Sequence, residues 1–219
     1  MEVNKQNIKA IIFDFDETMY YSPTIKQYYI AYIKRTLKTL SSLSDEDIVF
    51  LMDKYGFTSG GEKRVSFGKN CENFGVTKEQ WNNYRIKNFF QIDYDNAVTA
   101  KNSTYSELAK SYKLFIVSNE VKENLLYKAK RMKIDLRPFT EIIAPNVDNV
   151  LEYKSDKTIA YSNLITKYKL NPKEVLVVGD RYEVDIKPME TLGGSGILVK
   201  QANEIDHIFK NWVKGKEKL

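Results

Sequence analysis

Asp14-Phe15-Asp16-Glu17-Thr18 follows the apolar run Ile8-Lys9-Ala10-Ile11-Ile12-Phe13. A short apolar run without alternation predicts a fully buried strand over residues 8–15. Two carboxylates two residues apart at the mouth of such a strand raise each other's pKa and cost stability, unless a cation or a reaction needs them. The stretch therefore predicts a buried strand with a functional site at its end.

A second acidic cluster repeats this arrangement later in the chain. Val175-Leu176-Val177-Val178 runs into Gly179-Asp180, and Asp185 follows. In open parallel sheets, ligands bind beyond the carboxyl ends of the strands. Two acidic clusters at two such ends indicate one shared divalent-metal site.

The rest of the pattern predicts an α/β fold with a doubly wound parallel sheet, because short apolar strands alternate with helices. The expected strands are 8–15, 114–117, 141–144, 175–178 and 197–199, and the expected helices between them are 104–111, 121–132, 156–169 and 183–191. From Thr24 to about Phe90 the periodicity is helical instead. We therefore expect a core of residues 1–20 and 95–219 with an inserted α-helical cap of residues 21–94.

Composition limits the class of protein. The 219 residues are 42% hydrophobic, and 34 basic residues against 29 acidic ones give a net charge of +5. This excess is spread along the chain, so we expect a solvated surface that attracts anionic substrates and no nucleic-acid partner. No apolar run approaches the length of a membrane span, and no signal-peptide core follows the N-terminus. The expected location is cytoplasmic.

The rare residues exclude several chemistries. The only histidine is His207, far from any motif, which argues against a Ser-His-Asp triad, a Cys-His pair or a histidine-rich zinc site. The single Cys71 excludes an internal disulfide framework and suits a reducing compartment. Catalysis, if present, must therefore rest on carboxylates.

Four short motifs occur in order along the predicted core. They are Asp14-Phe15-Asp16-Glu17-Thr18, Ser118-Asn119, Lys154-Ser155-Asp156-Lys157, and Gly179-Asp180 through Asp185. Together they resemble the motifs of the haloacid dehalogenase-like (HAD) superfamily of phosphohydrolases. The resemblance covers residues 8 to 199 and includes the expected HAD-like Rossmannoid core.

The resemblance implies catalytic roles for the acidic residues. Asp14 would be the nucleophile that forms an aspartyl-phosphate. Asp16 would protonate the leaving oxygen and then activate water, which requires a raised pKa. Mg²⁺ would bind Asp14, the backbone carbonyl of Asp16, and Asp180, with Asp185 as a second-shell or water-mediated ligand. Dehalogenases of the family lack an acid at the second position, so the presence of Asp16 favours phosphate esters.

The resemblance also implies phosphate-binding residues. Ser118, Asn119 and an adjacent backbone N–H would bind the phosphoryl oxygens, and Lys154 would neutralise developing charge. Two alternatives stay open. Ser118 could instead cap the helix that begins near Val121. Lys157 could replace Lys154, because it lies close by and Ser155 stands where the family usually has proline.

The inserted segment resembles the C1 type of helical cap, whose members usually act on small soluble metabolites. Weak likeness to the pyrimidine 5′-nucleotidase branch occurs at Tyr20-Tyr21-Ser22-Pro23 and at Tyr55-Gly56-Phe57-Thr58-Ser59-Gly60-Gly61. Phosphoglycolate-type and sugar-phosphate phosphatases stay open. The cationic cap candidates for a second anionic group are Lys63, Arg64 and Lys69. Trp81 and Tyr84 could stack on a ring, although helix-face aromatics are more often core.

We therefore expect a Mg²⁺-dependent phosphatase of small phosphate monoesters, acting as a monomer or homodimer on a small phosphorylated metabolite. One alternative is a pyrimidine nucleoside 5′-monophosphate nucleotidase. From a different class, the chain could be a catalytically idle module that binds a phosphorylated ligand. Intact Asp14 and Asp16 argue against the idle module, since binding alone needs neither a nucleophile nor an acid.

Overall fold

The structure, a computed structural model, describes residues 7–57, 67–146 and 157–214. The chain divides into two compact units. The first, which we call the sheet unit, holds the described residues of 7–22, 94–146 and 157–214. The second, the helical unit, holds those of 23–93. Among the described residues, no helix has the length and apolarity that crossing a membrane requires.

Five parallel strands form the sheet of the first unit, in the order β5-β4-β1-β6-β7. The described residues form seven strands, of which β2 and β3 lie outside this sheet: β1 (Ala10–Phe13), β2 (Tyr20–Tyr21), β3 (Val98–Thr99), β4 (Lys113–Val117), β5 (Glu141–Ile143), β6 (Val175–Gly179) and β7 (Ser195–Leu198). The central strand is β1, which pairs Phe13 with Ile116 on one side and with Val178 on the other. The predicted parallel α/β sheet is confirmed.

The helices of the described residues include long amphipathic elements and short turns. They are α1 (Ile25–Leu40), α2 (Asp45–Lys54), α3 (Phe67–Asn70), α4 (Lys78–Lys87), α5 (Asn102–Ala109), α6 (Lys122–Arg131), α7 (Lys157–Lys167), α8 (Lys187–Thr191) and α9 (Glu204–Lys214). A single π-helical turn, Tyr182–Ile186, precedes α8.

Both faces of the sheet are covered, which explains why its strands are apolar throughout. Ala10 and Ile12 face a cluster that includes Tyr161 of α7 and Met189 of α8. Successive side chains of a strand point to opposite faces. Phe13 accordingly packs on the other face, against aromatic rings that include Tyr105 of α5 and Phe209 of α9.

The helical unit has a hydrophobic core of its own, and its expected helices are confirmed. The side chain of Ser44 accepts a hydrogen bond from the N–H of Asp47 at the start of α2. Thr77 and Gln80 form a capping box at the start of α4. Trp81 and Tyr84 lie in the core cluster of this unit, together with the buried Cys71. Their position supports the core interpretation of both rings.

Three local features differ from the sequence-based expectation. The first strand, Ala10–Phe13, is shorter than 8–15, and the turn after it begins at Asp16. The antiparallel pair β2–β3 is new, since two-residue strands leave no periodic signal. The last strand of the sheet, β7, spans Ser195–Leu198 where 197–199 was expected, and Gly193 just before it has a positive φ, of 92°.

Candidate active site

Asp14 and Asp180 stand at the carboxyl ends of two neighbouring strands. The N–H of Asp14 donates to the carbonyl of Val178 at 2.9 Å, which extends the pairing of β1 with β6 by one residue. Asp180 directly follows β6, and Asp185 lies in the π-helical turn after it. Asp14, Asp180 and Asp185 each offer a carboxylate oxygen, and these oxygens lie within 4.8 Å of one another.

A buried lysine at the start of α7 joins two of these carboxylates. The Nζ of Lys157 donates to Asp14 Oδ1 at 2.5 Å and to Asp185 Oδ1 at 2.6 Å. Tyr161, one turn further along α7, donates its hydroxyl to the backbone carbonyl of Asp185. Burial works against the charged form of Lys157, but the two carboxylates raise its pKa overall. Lys157 is therefore a permanent cation of the cluster.

One ammonium does not balance three carboxylates. Burial raises the pKa of Asp14 to about 6, with Lys157 opposing and Asp185 and Asp16 adding to the rise. Burial and the negative charges of Asp14 and Asp185 raise the pKa of Asp180 to about 8. Burial is the largest cause of both shifts, and the neighbouring negative charges add to it. A cluster of carboxylate oxygens with excess negative charge fits a hard divalent cation.

Close packing at the end of β6 fixes the position of Asp185. The N–H of Arg181 donates to Asp185 Oδ2 at 2.9 Å. A Cβ atom added at Gly179 would lie 2.4 Å from the Cβ of Asp185. Only glycine therefore lets β6 pass this close to the buried carboxylate.

Asp16 has different surroundings from Asp14, although only one residue separates them. Its Oδ1 accepts hydrogen bonds from the hydroxyl of Tyr20 at 2.5 Å and from the Nζ of Lys128 at 2.7 Å. Lys128 also donates to Glu120 Oε2 at 2.9 Å. The side chain of Asp16 keeps 34% of its surface exposed, against 6% for Asp14. The two carboxyl groups thus face separate partners.

The pKa of Asp16 is lowered, which is the reverse of the sequence-based expectation. Burial acts to raise it, but the charge and hydrogen bond of Lys128 and the hydrogen bond of Tyr20 lower it by more. The expectation considered the neighbouring carboxylate and missed this cation. Neither Lys128 nor Glu120 was predicted as a site residue. The available signal was a lysine on the buried face of α6, next to Leu125 and Ala129.

The turn that carries Asp16 has unusual backbone geometry. Glu17 has a φ of 60°, in the left-handed region that non-glycine residues rarely adopt. The hydroxyl of Thr18 donates back to Asp14 Oδ2 at 3.3 Å. The turn therefore directs Asp16 toward other partners, while Thr18 remains hydrogen-bonded to Asp14.

Ser118 and Asn119 follow β4, the strand next to β1, at the same end of the sheet. Ser118 is buried, and its Oγ accepts a hydrogen bond from the N–H of Glu120 at 3.1 Å. Helix α6 has Val121 at its N-cap with no side-chain cap bond. The interpretation of Ser118 as a helix cap is therefore wrong.

Several predicted residues lie outside the described part of the chain. These are Lys154, Lys63, Arg64 and the segment 58–61 of the nucleotidase-like stretch; of Lys69 the side chain is not described. Lys157, the alternative to Lys154, lies within the described residues and contacts Asp14.

A known protein family matches most of this chain. A family model described as haloacid dehalogenase-like hydrolase matches residues 8–193. No curated protein matches the chain.

Solved structures with a similar fold have low sequence identity to this chain. A predicted phosphoglycolate phosphatase from Haemophilus somnus 129PT is 22% identical, with a TM-score of 0.55 over 90% of this chain and 88% of its own. A HAD phosphatase from Thermococcus onnurineus is 16% identical, with a TM-score of 0.56 over 88% and 86%. The Bacillus subtilis protein YfnB, bound to magnesium, is 14% identical, with a TM-score of 0.54 over 93% and 99%. At these identities the likeness is one of fold.

Proposed function

This chain belongs to the haloacid dehalogenase-like hydrolase family, and from that premise we propose that it is a Mg²⁺-dependent phosphatase of small phosphate monoesters. The observation that carries the proposal is the separation of Asp14 from Asp16. Asp14 lies in an acidic, lysine-bridged cluster, whereas Asp16 is held apart and partly exposed. Two carboxyl groups with different surroundings suit two different roles in one reaction.

In the proposed reaction, Asp14 is the nucleophile. Its carboxylate oxygen bonds to phosphorus as the bond from phosphorus to the leaving oxygen breaks, and Asp16 gives its proton to that oxygen. Asp16, now a carboxylate, takes a proton from water as the water oxygen attacks phosphorus. The bond to Asp14 then breaks, phosphate leaves, and Asp16 is protonated again.

The lowered pKa of Asp16 suits the second step, in which it acts as a base. The first step needs the protonated form. An anionic phosphoryl group bound beside Asp16 adds negative charge, which raises the pKa of that carboxyl. Substrate binding itself is therefore expected to supply the acid.

Asp14, Asp180 and Asp185 would hold the metal ion, Asp185 directly or through water, with the Asp16 carbonyl as the further expected ligand. The ion supplies charge neutralisation at the phosphoryl oxygens when bound. The magnesium bound to the structurally similar Bacillus subtilis protein supports this choice of ion. Lys157 takes the charge-neutralising role that the sequence assigned to Lys154, because its Nζ contacts Asp14. Ser118 and Asn119 are proposed to bind phosphoryl oxygens.

The first test compares hydrolysis of p-nitrophenyl phosphate by the wild type and by Asp14→Asn, with Mg²⁺ and with EDTA. We expect metal-dependent turnover that falls by about 10³-fold or more in the variant, since losing a nucleophile removes the main path. Asp45→Asn is the matched control, because Asp45 is an exposed residue of the helical unit that pairs with Lys38.

Two outcomes would contradict the proposal. Turnover that persists in EDTA argues against the metal, and turnover that survives Asp14→Asn argues against the nucleophile. If the wild type binds beryllium fluoride but hydrolyses nothing, the chain is the idle binding module instead.

Substrate choice within this class is a separate proposal. A screen of pyrimidine and purine nucleoside monophosphates, sugar phosphates and phosphoglycolate, each at equal concentration, tests it. Selective hydrolysis of pyrimidine nucleotides would support the nucleotidase alternative, and equal rates across the set would argue against it.

A further inference from the structure

Lys128 is a charged residue in a position that a helix normally fills with an apolar one. Its side chain is 1% exposed, and it lies on the face of α6 that also buries Leu125 and Ala129. Burying an ammonium costs free energy unless well-placed anions compensate it. Here the compensation comes from Asp16 and Glu120, at 2.7 and 2.9 Å.

These contacts join two loops of the site. Glu120 follows Ser118 and Asn119; its N–H donates to Ser118 Oγ, and its Oε2 accepts from Lys128. Lys128 in turn donates to Asp16, which follows β1. The lysine therefore links the segment after β4 to the segment after β1 through its ammonium group.

The two carboxylate oxygens of Asp16 differ in their hydrogen bonds. Tyr20 and Lys128 both donate to Oδ1. Within the part of the chain that the structure describes, no residue donates a hydrogen bond to Oδ2. One oxygen is thus anchored by two donors while the other is left for a proton or a substrate. A carboxyl held in this way has a fixed plane and a defined reactive oxygen.

We propose that Lys128 is a positioning residue for Asp16: fixed by Glu120, it holds Oδ1 together with Tyr20 so that Oδ2 faces the leaving oxygen. The inference rests on the proposed function, because it needs Asp16 to act as the acid. It adds a residue that none of the four motifs contains.

The test compares two substrates of nearly the same shape, p-nitrophenyl phosphate and phenyl phosphate. Phenolate is the poorer leaving group and depends more on protonation than nitrophenolate does. In Lys128→Met we expect the ratio of kcat/KM for the nitrophenyl ester to that for the phenyl ester to rise about 10-fold, since misplacement of the acid affects the phenyl ester more. Asp16→Asn should shift the ratio in the same direction by more.

Three further variants separate positioning from folding. Tyr20→Phe keeps the ring in place and removes the other bond to Oδ1, so the ratio should rise about 3-fold even if Lys128→Met fails to fold. Lys128→Arg keeps the cation and should return the ratio toward that of the wild type. Lys130→Met changes an exposed lysine of the same helix and should leave the ratio unchanged.

The outcomes distinguish this inference from the proposed function. If the wild type hydrolyses both esters and the ratio is unchanged in Tyr20→Phe and in folded Lys128→Met, the inference is overturned and the function stands. Equal losses on both esters would likewise overturn it, because a purely structural role lowers the two rates together. If the wild type hydrolyses neither ester, the function and the inference fall together.

Discussion

Asp14 and Asp16 show how strongly a carboxyl group depends on the cation beside it. Asp14 shares Lys157 with Asp185 and has a raised pKa, whereas Asp16 shares Lys128 with Glu120 and has a lowered one. At Asp14, burial and the charges of Asp185 and Asp16 outweigh Lys157; at Asp16, the charge and hydrogen bond of Lys128 and the hydrogen bond of Tyr20 outweigh burial. At the scale of single residues, the site therefore consists of two pairs of carboxylates, each bridged by a lysine. Asp180 adds a third carboxylate beside the pair of Asp14 and Asp185.

Lys157→Met is expected to destabilise the metal-free protein by about 3 kcal/mol, because removing one partner of a buried ion pair leaves the others uncompensated. Urea unfolding with EDTA and with Mg²⁺ measures the effect. Added Mg²⁺ should recover part of the loss, since a bound cation replaces the missing charge.

Lys167→Met is the control for this change. Lys167 lies on the same helix, is 60% exposed and pairs with Glu141. An exposed pair contributes at most about 1 kcal/mol, and Mg²⁺ should not alter that. A Lys157→Met protein as stable as the wild type would contradict the electrostatic account.

The sequence predicted the acidic residues of the site but not all of their partners. Asp14, Asp180 and Asp185 were predictable because each lies at or just beyond the end of an apolar strand, and parallel strands bring such ends together. Lys128 was not, because its contact with Asp16 joins positions 112 residues apart. A lysine in a helix is ordinarily a surface residue, and only the packed structure reveals a buried one.

At the scale of secondary-structure elements, the end of β6 and the π-helical turn after it require glycine at position 179. The turn brings Asp185 back against Gly179, and Arg181 donates to the same carboxylate. In a π-helical turn, each backbone hydrogen bond spans five residues instead of the four of an α-helix. Such turns often occur at functional sites.

Gly179→Ala is expected to reduce turnover by about 10²-fold, because the new Cβ must displace Asp185 and misplace the acidic cluster. The rise in Tm that Mg²⁺ produces should also become smaller. Steady-state kinetics and thermal unfolding with and without Mg²⁺ measure these two effects.

Gly75→Ala provides a matched comparison. Gly75 lies in the helical unit with a φ of 71°, and an added Cβ meets no atom within 4 Å. This substitution should cost about 1 kcal/mol of stability through backbone strain alone and leave turnover unchanged. Equal losses of turnover in the two variants would rule out the steric explanation.

Elements with a long periodic signal were predictable, and short or irregular ones were not. The strands of the sheet and the helices of the insertion follow from apolar runs and from helical spacing. The pair β2–β3 has two residues in each strand, and the π-turn is an irregularity inside a helical segment. Such features depend on tertiary contacts rather than on local pattern.

At the scale of the whole molecule, the acidic cluster links stability to pH. Asp14 and Asp180 have pKa values raised from 3.8 to about 6 and about 8. As pH rises from about 4, these groups ionise first in the unfolded chain, which favours unfolding until the folded-state groups have ionised too. The free energy of unfolding of the metal-free protein should therefore fall between about pH 4 and 8. Asp16, with a lowered pKa, acts in the opposite direction but only at more acidic pH.

Urea unfolding across this range in EDTA tests the expectation. Asp180→Asn should flatten the fall, and Mg²⁺ should flatten it in the wild type by stabilising the ionised cluster. Asp45→Asn should not, because the pKa of Asp45 is lowered and it titrates below this range. A metal-free protein whose stability rises steadily from about pH 5 to 8 would contradict the raised pKa values.

The central place of β1 in the sheet has a consequence for the protein's synthesis. The ribosome releases β1 before either of its two neighbours, which begin only at Lys113 and Val175. Until then, its apolar residues have no strand to pair with and are exposed to other chains or to chaperones. Three residues of the acidic cluster, Lys157, Asp180 and Asp185, follow β4 in the chain and therefore emerge after it. The nascent chain therefore carries its proposed nucleophile before the residues that complete the acidic cluster, and we expect it to stay inert until the segment after β6 has been made.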